Sequence, residues 1–198
     1  SNTKVFDIPN GVDINLFNPK QYVGKSQKYD MKNLPRPIIG FSGSIGKWID
    51  IELLIRIATF YRNASIVLIG LNEKNPSINK LHNLNNIYFL GMKSREEVPQ
   101  YICDFDVCLM PFNRSEIGKG MLPLKMFEYL ALGKPVVATS SEVLKQFEEV
   151  LYLANDEDLQ SLVSRRGGFI YEAAPISPKF HTHASYYQKK TKLYHIGY

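Results

Sequence analysis

PLKMFEYLALGKPVVAT, residues 123–139, reads as a helix that runs straight into a buried strand. Met126, Phe127, Leu130 and Ala131 are free to pack inward, while Lys125 and Glu128, three residues apart, project from one face near the helix N-terminus. Gly133 stops the helix and Lys134–Pro135 makes the turn. Val136, Val137 and Ala138 then form an apolar run suited to a parallel strand covered on both faces. A cation and a carboxylate at the mouth of such a sheet suit a ligand carrying both phosphate and hydroxyl groups. An intrahelical ion pair on a solvated face is the competing reading.

Upstream, apolar runs alternate with helical patterns. Ile38, Ile39 and Phe41 make a first strand, followed by a helix with Ile51, Leu54, Ile55 and Ala58 at helical spacing. Ile66–Ile69 makes a second strand, a helix is expected around Ile78–Leu84, and Ile87–Leu90 makes a third. Ser94 with Glu97 reads as a capping box opening the next helix. Val107–Met110, Pro135–Ala138 and Val150–Leu153 supply three more strands, with a last helix from about Asp156. Repeated strand–helix–strand units of this length imply right-handed crossovers and an α/β, Rossmann-like fold: a mostly parallel six-stranded sheet with helices on both faces.

Such sheets bind ligands at the carboxyl ends of their strands, which selects three loops. The first is Ser42, Gly43, Ser44, Ile45, Gly46 and Lys47, where glycines let backbone N–H groups approach an anion and the following helix adds about half a positive charge. Its spacing is not G-x-G-x-x-G, which argues against a dinucleotide enzyme. The second is Gly91, Met92 and Lys93. The third is Asn113–Leu122, whose Gly118, Lys119 and Gly120 feed the helix of Lys125 and Glu128. Trp48 beside the first loop either walls off solvent or covers the core.

Of the 198 residues, 44% are apolar, enough for one domain with a sizeable core, and no apolar run approaches the roughly 18 residues that span a bilayer. Cys103 and Cys108 read as small buried hydrophobes in a reducing compartment, and no metal-ligand spacing is present; His181 and His183 are too few for a closed site. The net charge of +5 is confined to residues 165–198, which hold six Lys or Arg and one acid, leaving 18 of each sign in residues 1–164. No nucleic-acid-binding motif accompanies this basic tail, so a nucleic-acid partner is not expected.

Four further segments, taken with 123–139, carry a family resemblance: VFDIPNGVDINLFNP at 5–19, GFSGSIGKWID at 40–50, ASIVLIG at 64–70 and NIYFLGMKSREEVPQYICDFDVCLMPF at 86–112. In order and spacing they resemble the C-terminal, donor-binding half of the family 4 (group 1) glycosyltransferases of GT-B fold, over residues 5 to about 163. The resemblance implies an interdomain hinge at 1–20, a nucleotide-sugar-binding Rossmann-like domain at 21–164 and an atypical basic tail at 165–198. It implies transfer of a glycosyl unit from a UDP- or GDP-sugar to an acceptor hydroxyl in polysaccharide or glycoconjugate synthesis, with no cofactor and no metal. By the same resemblance Glu128 holds the ribose, and Gly43, Ser44 and Lys47 meet the diphosphate, with Ser44 standing where an arginine is common. Met92 and Lys93 hold the base through the backbone, and Gly118, Lys119, Gly120, Leu122 and Lys125 complete the donor site. Gly120 stands where many members carry a sugar-facing glutamate, and the wording around 120–125 resembles a subset that lacks it; Glu116 is not a straightforward replacement. No catalytic residue is singled out, because the acceptor site belongs to a preceding N-terminal domain, without which the chain is expected to bind donor and not turn over. The implied location is cytoplasmic, with peripheral association of the full enzyme at the inner face of the membrane as a variant. The alternatives are a non-catalytic nucleotide-binding module and a GT-B sugar-nucleotide epimerase, the latter calling for extra ionisable groups that residues 113–128 do not supply.

Overall fold

A computed structural model of the chain describes residues 11–25, 27–73, 75–113 and 122–154. Six strands form one sheet: β1 (Ile38–Ser42), β2 (Ser65–Ile69), β3 (Ile87–Gly91), β4 (Val107–Met110), β5 (Val136–Thr139) and β6 (Tyr152–Ala154). Their order is β3-β2-β1-β4-β5-β6 and every pairing is parallel. The chain winds outward from β1 through β2 to β3, then returns to place β4 on the other side of β1. The switch point of the sheet therefore lies between β1 and β4. Residues of β1, β2, β4 and β5 are buried throughout, as continuous apolar runs covered on both faces require.

The helices are α1 (Ile51–Phe60), α2 (Val98–Asp104), α3 (Leu124–Ala131) and α4 (Glu142–Lys145). The Asp50 carboxylate caps α1 by accepting from the Leu53 N–H at 2.8 Å. Gly133, at φ +70°, ends α3 as expected. Lys134 then donates to the carbonyls of Cys103 and Phe105, closing the C-terminal end of α2.

The helix expected around Ile78–Leu84 forms over Pro76–Asn83, and it is a 3-10 helix. Its buried residues, Ile78 and Leu81, are three apart, and a three-residue turn stacks both on one face, against α1. In the capping box, the Glu97 carboxylate accepts from the Ser94 N–H at 3.3 Å, and regular helix begins only at Val98, where Pro99 occupies the first turn.

The polypeptide before β1 lies on this frame. Phe17 and Met31 are buried, and Val12, Leu16, Tyr22 and Leu34 pack against the core. Cys108 is buried as expected, whereas Cys103 is only half-buried against the core; burial pushes the Cys103 thiol up to about 11 and the Cys108 thiol higher still, so both remain protonated. Among the described residues no helix is long and apolar enough to cross a membrane. The expected helix from Asp156, the basic tail and the loop positions Gly118, Lys119 and Gly120 lie outside the described residues.

Candidate functional site

Loops from both sides of the switch point are joined at the carboxyl edge of the sheet. The loop after β1 and the loop after β4 meet in an antiparallel bridge between Ile49 and Phe112, with Asp50 N–H donating to Pro111 O and Asn113 N–H to Trp48 O, each at 2.8 Å. On its other side the β1 loop is tied to the end of β2: Gly43 N–H donates to Ile69 O and Ile45 N–H to Leu71 O, both at 2.8 Å. Two amides that the sequence offered to an anion are thus committed to the protein's own backbone. Gly70 permits this contact, because a Cβ there would collide with the Gly43 carbonyl. Ser44 is half-buried and Lys47 exposed, and the Trp48 ring packs over Gly46.

α3 carries the two residues singled out first. Lys125 Nζ lies 2.8 Å from Glu128 Oε2, so the ion pair forms, with side chains only 31% and 18% exposed. Tyr129, the next residue, is fully buried; its hydroxyl accepts from Ser42 N–H at 2.8 Å and donates to Ser42 O at 3.3 Å. That contact sets the start of the β1 loop against α3. Leu122 is half-buried at the helix approach.

At the end of β3, Gly91 turns the chain with φ +68° and Met92 stands exposed. Lys93 Nζ is 2.7 Å from Asp30 Oδ2, the Tyr101 hydroxyl donates to the same oxygen at 3.0 Å, and the ammonium sits over the Tyr101 ring. Burial works to raise the Asp30 carboxyl, but the bonds from Lys93 and Tyr101 outweigh it and hold it below the usual range. The bond to Asp30 raises Lys93 against its own desolvation.

These elements enclose a cleft of about 360 Å³ between the N-terminal segment, the β3–α2 loop and α3, lined by Val12, Asp13, Lys93, Arg95, Lys125 and Glu128 among others. Of the residues proposed from sequence, Lys93, Lys125 and Glu128 converge here. Gly43, Ser44, Lys47, Met92 and Leu122 do not line it. Asp13 and Arg95, 4.0 Å apart at its rim, were not singled out from sequence, nor were Asp30 and Tyr129. The Asp13 carboxylate also accepts from the N–H groups of Asn15 and Leu16 and so fixes the turn that carries it. Three cations and two carboxylates over apolar Val12, Phe17 and Val98 can receive a ligand that is part anionic, part hydroxylated and part planar. Among the described residues no group of three or more His, Cys, Asp or Glu could hold a metal ion.

The sequence profile of the glycosyl transferases group 1 matches residues 36–165. TuaH of Bacillus subtilis (strain 168), a glycosyltransferase assigned to teichuronic acid biosynthesis, is 31% identical over 140 residues, covering 69% of this chain and 34% of TuaH. The uncharacterized glycosyltransferase MJ1059 of Methanocaldococcus jannaschii is 33% identical over 98 residues, 48% of this chain and 22% of that protein. The chain thus spans about a third or less of the length of these relatives. Among solved structures, the sucrose-phosphate synthase of Thermosynechococcus elongatus superposes with a TM-score of 0.65 at 20% identity, over 94% of this chain and 51% of that one. HepE of Anabaena, solved in complex with UDP-glucose, superposes with a TM-score of 0.60 at 19% identity, over 93% and 55%. At these identities the superpositions establish the fold.

Proposed function

Because the chain belongs to the group 1 glycosyltransferase family, we propose that its cleft binds a nucleoside diphosphate sugar, as the donor half of an enzyme that moves a glycosyl unit to an acceptor hydroxyl. The observation that carries this reading is the convergence of Lys93, Lys125 and Glu128 on one cleft at the carboxyl edge of a parallel sheet. Lys125 engages Oε2 of Glu128, and the remaining lone pairs of the carboxylate accept the ribose hydroxyls. Lys125 and the N-terminal end of α3 face the charge that develops on the departing diphosphate, a role that needs no metal. The diphosphate extends beyond the cleft lining towards the β1 loop and Lys47. The base lies on the other side of Glu128, towards Val12, Met92 and Lys93.

The donor is a UDP- or GDP-hexose. The acceptor side belongs to a further domain, in keeping with the half-length match to HepE and the synthase. The match to TuaH supports a polysaccharide or glycoconjugate product. Titration calorimetry of the chain with UDP, GDP and ADP, with and without a chelator, tests the reading. Chelator-insensitive binding of UDP or GDP in preference to ADP is the expected result. No binding of any nucleotide by a folded sample, or binding abolished by the chelator, would refute it.

A further inference from the structure

Ser42 ends β1 at the place where the sheet divides. Pairing between β1 and β4 covers Ile39 with Val107 and Gly40 with Cys108, and stops there. Along β1 the backbone groups alternate in direction: Ile38 O accepts from Asp106 on the β4 side, and Gly43 N–H donates to Ile69 on the β2 side. Ser42 therefore points its N–H and C=O toward β4, beyond the last β1–β4 pair. There the Tyr129 hydroxyl fills the gap, accepting from one group and donating to the other. A phenol can do both at once, and in a site of no solvent exposure either backbone group left alone would be costly.

This contact joins the two parts of the candidate site that no shared lining unites. Gly43 follows Ser42 and opens the loop at 43–47, while Glu128 precedes Tyr129 on α3. Successive helix residues point about 100° apart, so the helix can bury the Tyr129 ring and present Glu128 to the cleft in adjacent positions. Gly70 backs the loop from the β2 side. The start of the loop is thus held between a glycine contact and a phenol, and only the phenol belongs to the helix that carries Glu128.

We propose that Tyr129 is a positioning residue: its hydroxyl sets the distance between the Glu128 carboxylate and the 43–47 loop, so that one ligand can engage both. The inference rests on the reading of the site as one for a nucleoside diphosphate sugar. A nucleoside reaches the carboxylate alone, whereas a nucleoside diphosphate must bridge both parts and gains from having them already placed.

Calorimetry of the full 198-residue chain and its Tyr129→Phe variant, with uridine against UDP and guanosine against GDP, tests this. For whichever pair the wild type binds, Tyr129→Phe should leave nucleoside affinity within about twofold and lower diphosphate affinity about fivefold or more, the scale of ordinary coupling between two subsites. A merely structural tyrosine would lower the melting temperature and leave the ratio of the two affinities alone. An unchanged ratio in a folded variant overturns the inference while leaving the donor reading intact. Failure of the wild type to bind any of the four probes overturns the reading and the inference with it. If Tyr129→Phe does not fold, amide exchange at Ser42 in the wild type decides: the diphosphate should slow it more than the nucleoside does, because the coupling is reciprocal, and equal protection by the two overturns the inference.

Discussion

Lys125 and Glu128 form the ion pair that their spacing allowed, but not on a fully solvated face. That face borders a cleft that leaves Glu128 only 18% exposed. The two residues should separate by ligand. Hydrogen bonds to a charged group contribute about 1.5–3 kcal/mol, so Glu128→Gln should weaken binding of nucleoside and nucleoside diphosphate alike by about one order of magnitude. Lys125→Ala should weaken the diphosphate more than the nucleoside, and its effect should shrink as salt rises. Calorimetry at low and high salt checks both. At this scale the sequence shows which groups are charged and which share a face, since a three-residue interval on a helix is purely local geometry. It does not show that the Tyr129 hydroxyl would meet a backbone unit 87 residues away. In sequence, Tyr129 is one more apolar position on the buried side of a helix.

Elements are held to one another here by polar contacts between chain segments far apart. Asp30 lies on a 3-10 turn before β1, and its carboxylate takes bonds from Lys93 and Tyr101 at the β3–α2 corner, fastening the N-terminal polypeptide beside the cleft. Asp30 is depressed in the folded state, so its contribution is fully present above the unfolded value of about 3.9 and is lost as pH falls through the folded value. Lys93 is raised, so its share is present below about 10.4 and lost as pH rises through its own folded value. Denaturation of Asp30→Asn and wild type across this range should therefore show the largest stability gap between these limits, with the gap closing at acid and alkaline extremes. A gap independent of pH would assign the loss to packing. Gly70 tests a second junction. An alanine there meets the Gly43 carbonyl at φ +142°, so Gly70→Ala should cost about 1–3 kcal/mol in urea unfolding and weaken diphosphate binding by displacing the loop. Neither junction is legible in sequence: Asp30 reads as an ordinary surface acid and Gly70 as a generic strand end.

For the molecule as a whole, sheet, loops and α3 are joined closely enough that ligand binding should register as global stability. Nucleotide at 100 times its dissociation constant adds about 2.7 kcal/mol, which for a chain of this size raises the melting temperature by about 5 °C or more. UDP or GDP should do this with chelator present, in a thermal melt; an unshifted melt at saturating nucleotide would contradict it. The sequence by itself determined the alternation of apolar strands and helices, the parallel sheet, and the placing of Lys125 with Glu128, because burial on two faces, crossover handedness and helical spacing are all written in short stretches of chain. Only the tertiary structure decided the order β3-β2-β1-β4-β5-β6, the 3-10 form of Pro76–Asn83, the commitment of Lys93 to Asp30, and the meeting of Asp13 and Arg95 at the rim of the cleft. It also decided that Tyr129 would fill the division between β1 and β4. A polar side chain carries its capacity for hydrogen bonding in its chemistry, but its partner is whichever distant backbone or side chain the packed core brings within about 3 Å.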